Sequence, residues 1–394
     1  MNARGLLLLP LLHLQLLKMA STTVNGCCKD DTYWITAIGN PNVDLIVKVD
    51  DTYLFDKYNL AIDGHLPTHP EFMDKVRADV FERNYEVLCT PGGCAQNTLR
   101  VLQWLIGDPS CKCAMIGSIG VDKEAEFLEK EMKKAGVNAI YTKLNDYRTA
   151  SVIGITYQKN RSFVYGLKMG AASQYSLPIL LANPDAVSAL KRSKIVHLEA
   201  FFTIHSMEVG LEVLKICSSS DAITSFNLCG EYTLKMNKNA VIAFYDACDI
   251  VIGNLPEFYS LCDELSMKRD HPREALEQLH RRIMSNVKNQ RNYAIKSFEK
   301  YGKIIIATNG SEPVYCYTKC DGFIEFPIPA VDPGKIKDTT GAGDAFLAGF
   351  LHGILHDAPI TKCLELGYRM GAEIIQQHGC VLPDKDPAIF TDNL

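Results

Sequence analysis

The chain has 394 residues, 47 % of them hydrophobic, which is enough to form the core of a large α/β domain. Its 41 basic and 46 acidic residues give a formal net charge of −5. This balance excludes the strongly basic composition that is typical of nucleic-acid binding. We therefore expect small molecules, and neither nucleic acid nor a membrane, as partners.

The first 25 residues differ from the rest of the chain. They contain a leucine-rich run that is interrupted by Pro10, His13 and Gln15 and is too short to span a bilayer. A secretory leader has this outline, whereas Met19 is a second plausible start. We expect residues 1–25 to be a disordered or leader-like extension and residues 26–394 to be a single domain. The expected location is cytoplasmic, or cytoplasmic and nuclear, with a cleaved leader as the alternative.

Fourteen cysteines are scattered along apolar stretches and do not have the spacing of a small secreted scaffold. The closest pairs in the sequence, such as Cys111 with Cys113, lack the CxxC spacing of a structural zinc site. We expect reduced and mostly buried thiols rather than a metal site.

Short apolar runs alternate with segments that are long enough for helices. The runs rich in Ile, Val and Phe are residues 34–38, 114–120, 194–202, 223–228, 249–254 and 303–310. Residues 122–136 and 206–220 carry apolar side chains near helical spacing, with charges on the other face. This alternation predicts an α/β fold with a mainly parallel sheet sandwiched by helices. Ligands in such folds bind beyond the carboxyl ends of the strands.

Two segments depart from the alternation. Residues 148–166 form two β-rich runs, and together with residues 43–50 they predict a small separate sheet. This sheet could act as a lid, with elements near 43–68 and 147–169. The second segment, residues 266–303, has ten Lys or Arg against four acids. We interpret it as a solvated surface, with a nucleic-acid or membrane patch as the alternative.

The stretch DTTGAGDAF, residues 338–346, carries the clearest chemical signal. Gly341, Ala342 and Gly343 leave the backbone open to a ligand, and the apolar residues that follow predict a buried helix. The N-terminus of such a helix binds anions through its unpaired N–H groups. Asp344 in the first turn is placed to accept a proton from an attacking hydroxyl. The alternative is that Asp344 only interacts favourably with the helix dipole.

Two loops nearer the start of the chain offer groups for a sugar. Asn40 and Asp44 follow the first predicted strand, and a carboxylate such as Asp44 can accept hydrogen bonds from two neighbouring hydroxyls. Gly92 and Gly93 form a turn before a predicted helix, where the backbone can lie against a ligand and Asn97 can add a polar contact. We predict a substrate site from these residues.

A further loop, GNLPE at residues 253–257, ends another predicted strand. Asn254 and Glu257 provide the hard oxygen atoms that suit Mg²⁺ or its bound waters near phosphates. We predict Glu257 as the metal residue of the site.

In this order, the motifs resemble those of the ribokinase-like carbohydrate and purine kinases, from about residue 34 to about residue 383. The most specific element is DTTGAGD. The resemblance implies a single ribokinase-like kinase domain in which Gly341 to Gly343 form the anion hole and Asp344 is the catalytic base. It also implies Mg²⁺ as cofactor and ATP as co-substrate, with Asn254, Thr308, Gly310, Gly341 and Gly343 at the ATP.

Within this family the segments GNPNVD, GGCAQNTLRVLQWL, NRS at 160–162 and AFF at 200–202 look like those of adenosine kinases. That resemblance implies that Asp44 holds the ribose hydroxyls, that Arg161 lies near the phosphates and that Phe201 stacks on the purine. Phe163 could supply the second ring of an aromatic clamp for the base.

Three positions depart from the adenosine kinase pattern. Cys94 stands where adenosine kinases commonly carry Ser, His65 falls near a position where a Gln often meets the base, and Tyr368 stands where a His is often found near the nucleotide. These differences leave the phosphoryl chemistry unchanged and bear on the selectivity for the base.

The expected function is that of an ATP-dependent nucleoside kinase that phosphorylates adenosine, acts as a monomer and takes part in purine salvage. A free-sugar kinase of the same family and a non-catalytic nucleoside-binding relative are the alternatives. The sequence lacks the GxxxxGK[ST] motif of P-loop enzymes and the HRD motif of protein kinases. It also lacks a GxGxxG motif after the first strand, which argues against dinucleotide binding.

Overall fold

The computed structural model describes residues 32–62, 64–158, 160–166, 168, 170–284 and 292–391. The predicted extension, residues 1–25, lies outside these residues, and so does part of the basic segment. The strands are β1 Tyr33–Ile38, β2 Asn42–Val49, β3 His65–Thr68, β4 Glu86–Gly92, β5 Cys113–Ile119, β6 Asn138–Lys143, β7 Ala150–Tyr157, β8 Asn160–Gly166, β9 Ser193–Glu199, β10 Ile223–Asn227, β11 Ile250–Asn254, β12 Ile304–Thr308, β13 Val314–Thr318 and β14 Gly322–Phe326.

A nine-stranded sheet forms the centre of the fold, in the order β14-β13-β12-β11-β10-β9-β1-β5-β6. Every pairing from β12 to β6 is parallel, and β13 and β14 add an antiparallel edge. The predicted mainly parallel sheet is therefore confirmed. The chain leaves β1 towards β5 on one side and later returns to β9 on the other, so β1 and β9 flank a topological switch point.

Helices cover both faces of this sheet. In chain order, the α-helices of the described residues are α1 Tyr53–Tyr58, α2 Pro70–Glu82, α3 Cys94–Ile106, α4 Lys123–Lys134, α5 Leu177–Leu181, α6 Pro184–Lys191, α7 Ala200–Thr203, α8 Met207–Ser218, α9 Glu231–Ala247, α10 Leu255–Glu264, α11 Pro272–Met284, α12 Ala342–Leu355, α13 Ile360–Ile374 and α14 Ala388–Thr391. Of these, α2 packs on β8 and α1, away from the nine-stranded sheet. Successive residues of β1 point to opposite faces, with Ile35 in one buried cluster and Ile38 in the other. The α/β sandwich follows from strands that are apolar on both sides.

A second sheet has five strands in the order β3-β8-β7-β2-β4. Strands β7 and β8 form an antiparallel hairpin, and β2 pairs with β7 in parallel. The predicted small sheet is therefore confirmed, and β4 joins it although the sequence did not suggest a strand there. Because β4 ends at Gly92 and α3 begins at Cys94, this extra strand leads directly into the predicted Gly-Gly turn.

The structure corrects the predicted strand at 194–202. The strand ends at Glu199, and α7 starts at Ala200. At this strand end the Glu199 carboxylate accepts hydrogen bonds from the backbone N–H groups of Asn40, in the loop after β1, and Ala95, in the first turn of α3. The expectation of reduced thiols is wrong at Cys111, which is disulfide-bonded, whereas eleven other described cysteines are free.

Candidate active site

The residues predicted to carry chemistry converge at the switch point between β1 and β9. Asn40 follows β1, and its backbone N–H donates to Glu199 Oε1 at 2.8 Å at the end of β9. The side-chain amide of Asn40 donates to the carbonyl of Phe201 at 2.9 Å. The first loop is therefore fixed to the end of the neighbouring strand.

Asp344 lies in the first turn of α12 and is 7 % exposed. Asn97, in the first turn of α3, donates from Nδ2 to Asp344 Oδ2 at 3.0 Å. The pKa of Asp344 is raised to about 6, because the effect of burial exceeds the lowering by Asn97 and Cys94. A carboxylate with this pKa is ionised at neutral pH and is basic enough to accept a proton from a hydroxyl in a transition state.

The N-terminus of α12 is open. Gly341 is its N-cap in the left-handed conformation, with a φ of 75°, and no side chain caps the helix. A Cβ at Gly341 would meet the Cβ of Cys380 at 2.6 Å, whereas a Cβ at Gly343 would meet nothing within 4 Å. The space beside Gly343 therefore adjoins the N-terminus of this helix, where an anion can bind, while the Ala342 N–H donates to the Thr339 carbonyl at 3.3 Å.

Asp44 and the Gly-Gly turn lie side by side. Strand β2 pairs with β4, and a Cβ at Gly92 would collide with the Asp44 carboxylate. A Cβ at Gly93, which has a φ of 93°, would lie 2.5 Å from the Asn40 carbonyl oxygen. Asn42 donates from Nδ2 to Asp44 Oδ1 at 2.6 Å. Burial raises the pKa of Asp44 to about 7, and the charge of Asp344 adds to this rise, so the two carboxylates are near each other.

Two buried side-chain oxygens at this site have no hydrogen-bond partner. They are Oδ1 of Asn40 and Oδ1 of Asn97. Both residues are 3 % exposed, and a buried acceptor without a partner costs free energy. A ligand that brings hydroxyl or amine donors to these atoms would remove that cost.

Arg161 reaches from the small sheet to the DTTGAGD loop. Its guanidinium contacts the Asp338 carboxylate and the Thr340 hydroxyl, and it lies 4.5 Å from the centroid of the Phe163 ring. Asp338 also accepts hydrogen bonds from the backbone N–H groups of Thr340 and Gly379. Arg161 therefore joins the small sheet to the loop in front of α12.

An aromatic group lies at the other end of the same face of β8. Arg161, Phe163 and Tyr165 alternate with buried residues along this strand, so they share one face. The rings of Tyr165 and Phe201 lie 6.2 Å and 5.3 Å from the ring of Tyr232, which belongs to the first turn of α9. The structure thus places Phe201 with Tyr232 and Tyr165, and Phe163 with Arg161.

Asn254 and Glu257 form a capping box at the start of α10. Asn254 Oδ1 accepts from the Glu257 N–H at 2.8 Å, and Glu257 Oε2 accepts from the Asn254 N–H at 2.9 Å. Burial raises the pKa of Glu257 to about 7. Thr308 is the neighbour of Asn254 across the β11–β12 pair, and the exposed Gly310 follows with a φ of 62°. These four residues lie together at the carboxyl ends of adjacent strands.

Sequence reasoning missed Glu199, Cys229, Tyr232 and Asp338. Glu199 is 1 % exposed, and burial raises its pKa to about 7. The signal that could have identified two of them is position, because Cys229 and Tyr232 lie just after the carboxyl end of the predicted strand 223–228. Glu199 lay inside the predicted strand 194–202, so its place at the end of β9 could not be predicted. Asp338 was part of the quoted motif without an assigned role.

A surface cavity of about 610 Å³ lies at a different place, at the end of β2 and the turn before β4, and is lined by Lys48, Asp51 and Arg83 among others. None of the predicted site residues lines it. Among the described residues, no helix is both long and apolar enough to cross a membrane.

Comparison with known proteins identifies the class to which this fold and site belong. Residues 64–387 match the pfkB family carbohydrate kinases, so the chain belongs to this family. The curated adenosine kinase 2 of Arabidopsis thaliana is 28 % identical over 359 residues, which cover 89 % of this chain and 96 % of that protein.

Solved structures agree with this assignment. An Anopheles gambiae adenosine kinase in complex with P1,P4-di(adenosine-5) tetraphosphate is 27 % identical, has a TM-score of 0.76, and the match covers 89 % of this chain and 97 % of that one. A Schistosoma mansoni adenosine kinase in complex with 2-fluoroadenosine has a TM-score of 0.77 at 23 % identity, over 90 % and 98 % of the two chains. The latter shows the shared ribokinase-like fold.

Proposed function

We propose that this protein is an ATP-dependent adenosine kinase, which transfers the γ-phosphate of ATP to the 5′-hydroxyl of adenosine and gives AMP and ADP. The similarity to curated adenosine kinases over 89 % of the chain supports this function, as does the adenosine-based ligand of the Anopheles structure. Membership of a carbohydrate kinase family supports phosphoryl transfer to a sugar hydroxyl.

The proposal rests on one face of β8, which carries the cationic Arg161 at one end and the aromatic Tyr165 at the other. Arg161 contacts the loop before the open N-terminus of α12, and Tyr165 lies beside Tyr232. Four residues of extended strand separate them, or roughly 13 Å. One end therefore suits phosphate and the other suits a flat base, as a nucleoside that receives a phosphate requires.

Each residue then has a defined task. Asp44 accepts hydrogen bonds from the ribose hydroxyls, and Asn40 and Asn97 offer their unpaired oxygens to ligand donors. Asp344 accepts the proton of the 5′-hydroxyl as that oxygen attacks phosphorus. The N–H groups of Gly341 to Gly343 and the guanidinium of Arg161 stabilise the charge that develops on the transferred phosphoryl group.

The small sheet is proposed to close over the substrate. Arg161 and Tyr165 are both part of it, so closure brings the cation towards the phosphates and the ring towards the base in one movement. Closure also excludes water, which would otherwise hydrolyse ATP.

Glu257 is the residue proposed to hold Mg²⁺, through its coordinated waters. The chemistry of Glu257 fits this ion. Its carboxylate is buried, its pKa is raised, and no described Lys or Arg forms an ion pair with it, so a nearby cation would stabilise its ionised form. Each Glu257 oxygen accepts one hydrogen bond from Asn254 and keeps a further lone pair for a water. When bound, the ion neutralises phosphate charge. Asn254, Thr308 and Gly310 are proposed to lie along the ATP.

Two alternatives remain to be compared with this function. A free-sugar kinase has no use for the aromatic group of Phe201, Tyr232 and Tyr165, so this group favours a nucleoside. A binding protein without catalysis has no need of Asp344 beside an open helix N-terminus. Both features therefore favour the nucleoside kinase.

Eleven described cysteines are free and one, Cys111, is disulfide-bonded, and this predominance of free thiols supports a reducing compartment such as the cytoplasm. We also propose that the enzyme acts as a monomer. The test of function is the consumption of ATP with adenosine, other nucleosides, ribose or fructose as acceptor. Turnover with adenosine at least tenfold above that with free sugars is expected. Activity with sugars alone would contradict the proposal and would leave the family assignment in place.

A further inference from the structure

Two cysteines and a glutamate from three distant parts of the chain meet beside Asp344. Cys94 is the first residue of α3, Glu199 is the last residue of β9, and Cys229 follows β10. One sulfur or oxygen atom from each lies within 4.8 Å of the other two. Among the described residues, this is the one group of three His, Cys, Asp or Glu side chains whose ligand atoms lie close enough together to hold a metal ion.

The donor set suits a borderline-soft metal ion rather than Mg²⁺. Thiolates prefer Zn²⁺ to hard cations, which bind oxygen ligands. With metal–sulfur and metal–oxygen distances of about 2.3 Å and 2.1 Å, the ligands of a tetrahedral zinc site lie roughly 3.5 to 4 Å apart. The observed spacing of under 4.8 Å is close to this separation, so small side-chain rotations suffice to complete the site.

The charges and the exposure of the three residues also fit a cation. Glu199 is 1 % exposed, and its hydrogen-bond partners are the backbone N–H groups of Asn40 and Ala95 rather than a Lys or Arg. A buried carboxylate without a positive partner is costly in the ionised form. Cys94 and Cys229 are half-buried residues, and the Cys229 thiol donates to the backbone carbonyl of Asn227 at 3.4 Å.

We propose that Cys94, Glu199 and Cys229 form a zinc-binding site that inhibits the enzyme when it is occupied. Binding of Zn²⁺ replaces the two thiol protons with two metal–sulfur bonds and releases both protons to solvent. Cys94 lies three residues before Asn97, whose amide donates to the Asp344 carboxylate. A Zn²⁺ ion bound at Cys94 would therefore lie beside Asp344 and compete with the attacking hydroxyl for this carboxylate.

The binding test uses the reduced full-length chain and Cd²⁺ alone, since cadmium thiolates absorb in the ultraviolet by charge transfer from sulfur. One equivalent of Cd²⁺ should produce this absorption, and Zn²⁺ should abolish it by competition. The double variant Cys94→Ser with Cys229→Ser should lose it, and Glu199→Gln should weaken the competition by Zn²⁺. The matched control replaces four other cysteines and should keep the absorption. These are the exposed Cys89 and Cys320 and the pair Cys27 and Cys28, which are consecutive in the sequence.

Absorption that persists in the Cys94→Ser, Cys229→Ser variant would overturn the proposal, and so would its absence from the unmodified chain. Cys94→Ser replaces sulfur by oxygen in a side chain of nearly the same shape, so this variant is expected to fold. Circular dichroism and adenosine affinity check the fold of each variant. If the double variant fails this check, protection of two thiols from an aromatic disulfide reagent by Zn²⁺ in the unmodified chain tests the same point.

Inhibition is tested separately and rests on the proposed function. Zn²⁺ at a buffered free concentration should lower turnover of adenosine by tenfold or more in the unmodified enzyme, and a zinc-selective chelator should restore it. The ratio of activities with and without Zn²⁺ should stay near one in Cys229→Ser. If the chain proves inactive as a kinase, the Cd²⁺ titration still decides whether the site exists. Equal inhibition of the enzyme and Cys229→Ser would show that zinc acts elsewhere.

Discussion

Asn97 and Asp344 are 247 positions apart in the chain, and the Asn97 amide donates to the Asp344 carboxylate at 3.0 Å. Each lies in the first turn of its helix, so the contact joins the N-termini of α3 and α12. The amide lowers the pKa of Asp344, while burial raises it. The pair thus keeps a buried carboxylate ionised near neutral pH, as a proton acceptor must be.

Replacement of Asp344 by Asn should remove the base and keep the shape of the site. The expected result is a fall in kcat by roughly 10² to 10⁴, with the adenosine Kd nearly unchanged, because the group acts mainly in the transition state. Steady-state kinetics and calorimetric titration measure the two quantities. Turnover close to that of the unmodified enzyme would show that another group accepts the proton.

The acid limb of kcat at saturating adenosine should report Asp344, because Asp44, whose pKa is raised to about 7 in the free enzyme, is then engaged by the ribose. Since the pKa of Asp344 is about 6, the fraction of ionised base falls as the pH drops through 6, and activity falls with it. Asn97→Ala removes a hydrogen bond that lowers this pKa, so the limb should move to higher pH by about one unit.

Thr98→Val is the matched control for Asn97→Ala. Thr98 donates to the backbone carbonyl of Asp344 and not to its carboxylate, so its removal should leave the limb in place. An equal shift in both variants would mean that the shift comes from disturbed packing between α3 and α12.

The sequence predicted the parts of this site that depend on local backbone. The helix N-terminus at residues 341–343 and the strand end at Asn254 each depend on a few neighbouring residues, so short motifs suffice to predict them. The sequence predicted Glu257 as the metal residue and did not predict its capping box with Asn254. It did not predict that the ring of Phe201 contacts Tyr232 and not Phe163, because this contact depends on how β8, α7 and α9 pack together. Glu199 was missed because its role comes from the N–H groups of distant loops.

Tyr232→Ala should weaken the binding of the base. Loss of one stacking ring costs about 1 to 3 kcal/mol, which corresponds to an increase of about 5-fold to 150-fold in the adenosine Kd. The affinity for ribose should not change. Phe323→Ala, which breaks the stacked pair with Tyr315 at the sheet edge, serves as the control and should leave both affinities unaltered. A Tyr232→Ala enzyme with normal adenosine affinity would place the base elsewhere.

Arg161→Met should lower kcat by roughly 10², since it removes a cation that stabilises the transferred phosphoryl group and joins the small sheet to Asp338. Arg161→Lys should recover part of this loss, because Lys keeps the charge but not the planar fork that reaches two partners. Arg148, which forms an exposed ion pair with Asp74, is the control. A loss in Arg148→Met as large as in Arg161→Met would point to a general effect of charge.

Asp44→Asn should stabilise the ligand-free protein at neutral pH while it weakens adenosine binding. The pKa of Asp44 is raised from 3.8 to about 7 in the folded state, so the folded protein binds more protons than the unfolded chain between these values. Stability is therefore lost as the pH rises from 4 to 7, by on the order of a few kcal/mol, and Asn removes this loss. Urea midpoints of both proteins should coincide near pH 4, diverge as the pH rises to 7 and stay apart above it.

Asp338→Asn should change the urea midpoint at neutral pH in the direction opposite to Asp44→Asn. Burial raises the pKa of Asp338, but the charge of Arg161 and the hydrogen bonds from Thr340 and Gly379 outweigh this, so its pKa is lowered in the folded state. Its ionised form therefore stabilises the protein above the unfolded pKa, and Asp338→Asn should lower the urea midpoint at neutral pH. If both variants shift the midpoint in the same direction, the charge of Asp44 is not what destabilises the empty site. A gain confined to Asp44→Asn would show that part of the folding free energy is given up to keep a carboxylate ready for the ribose.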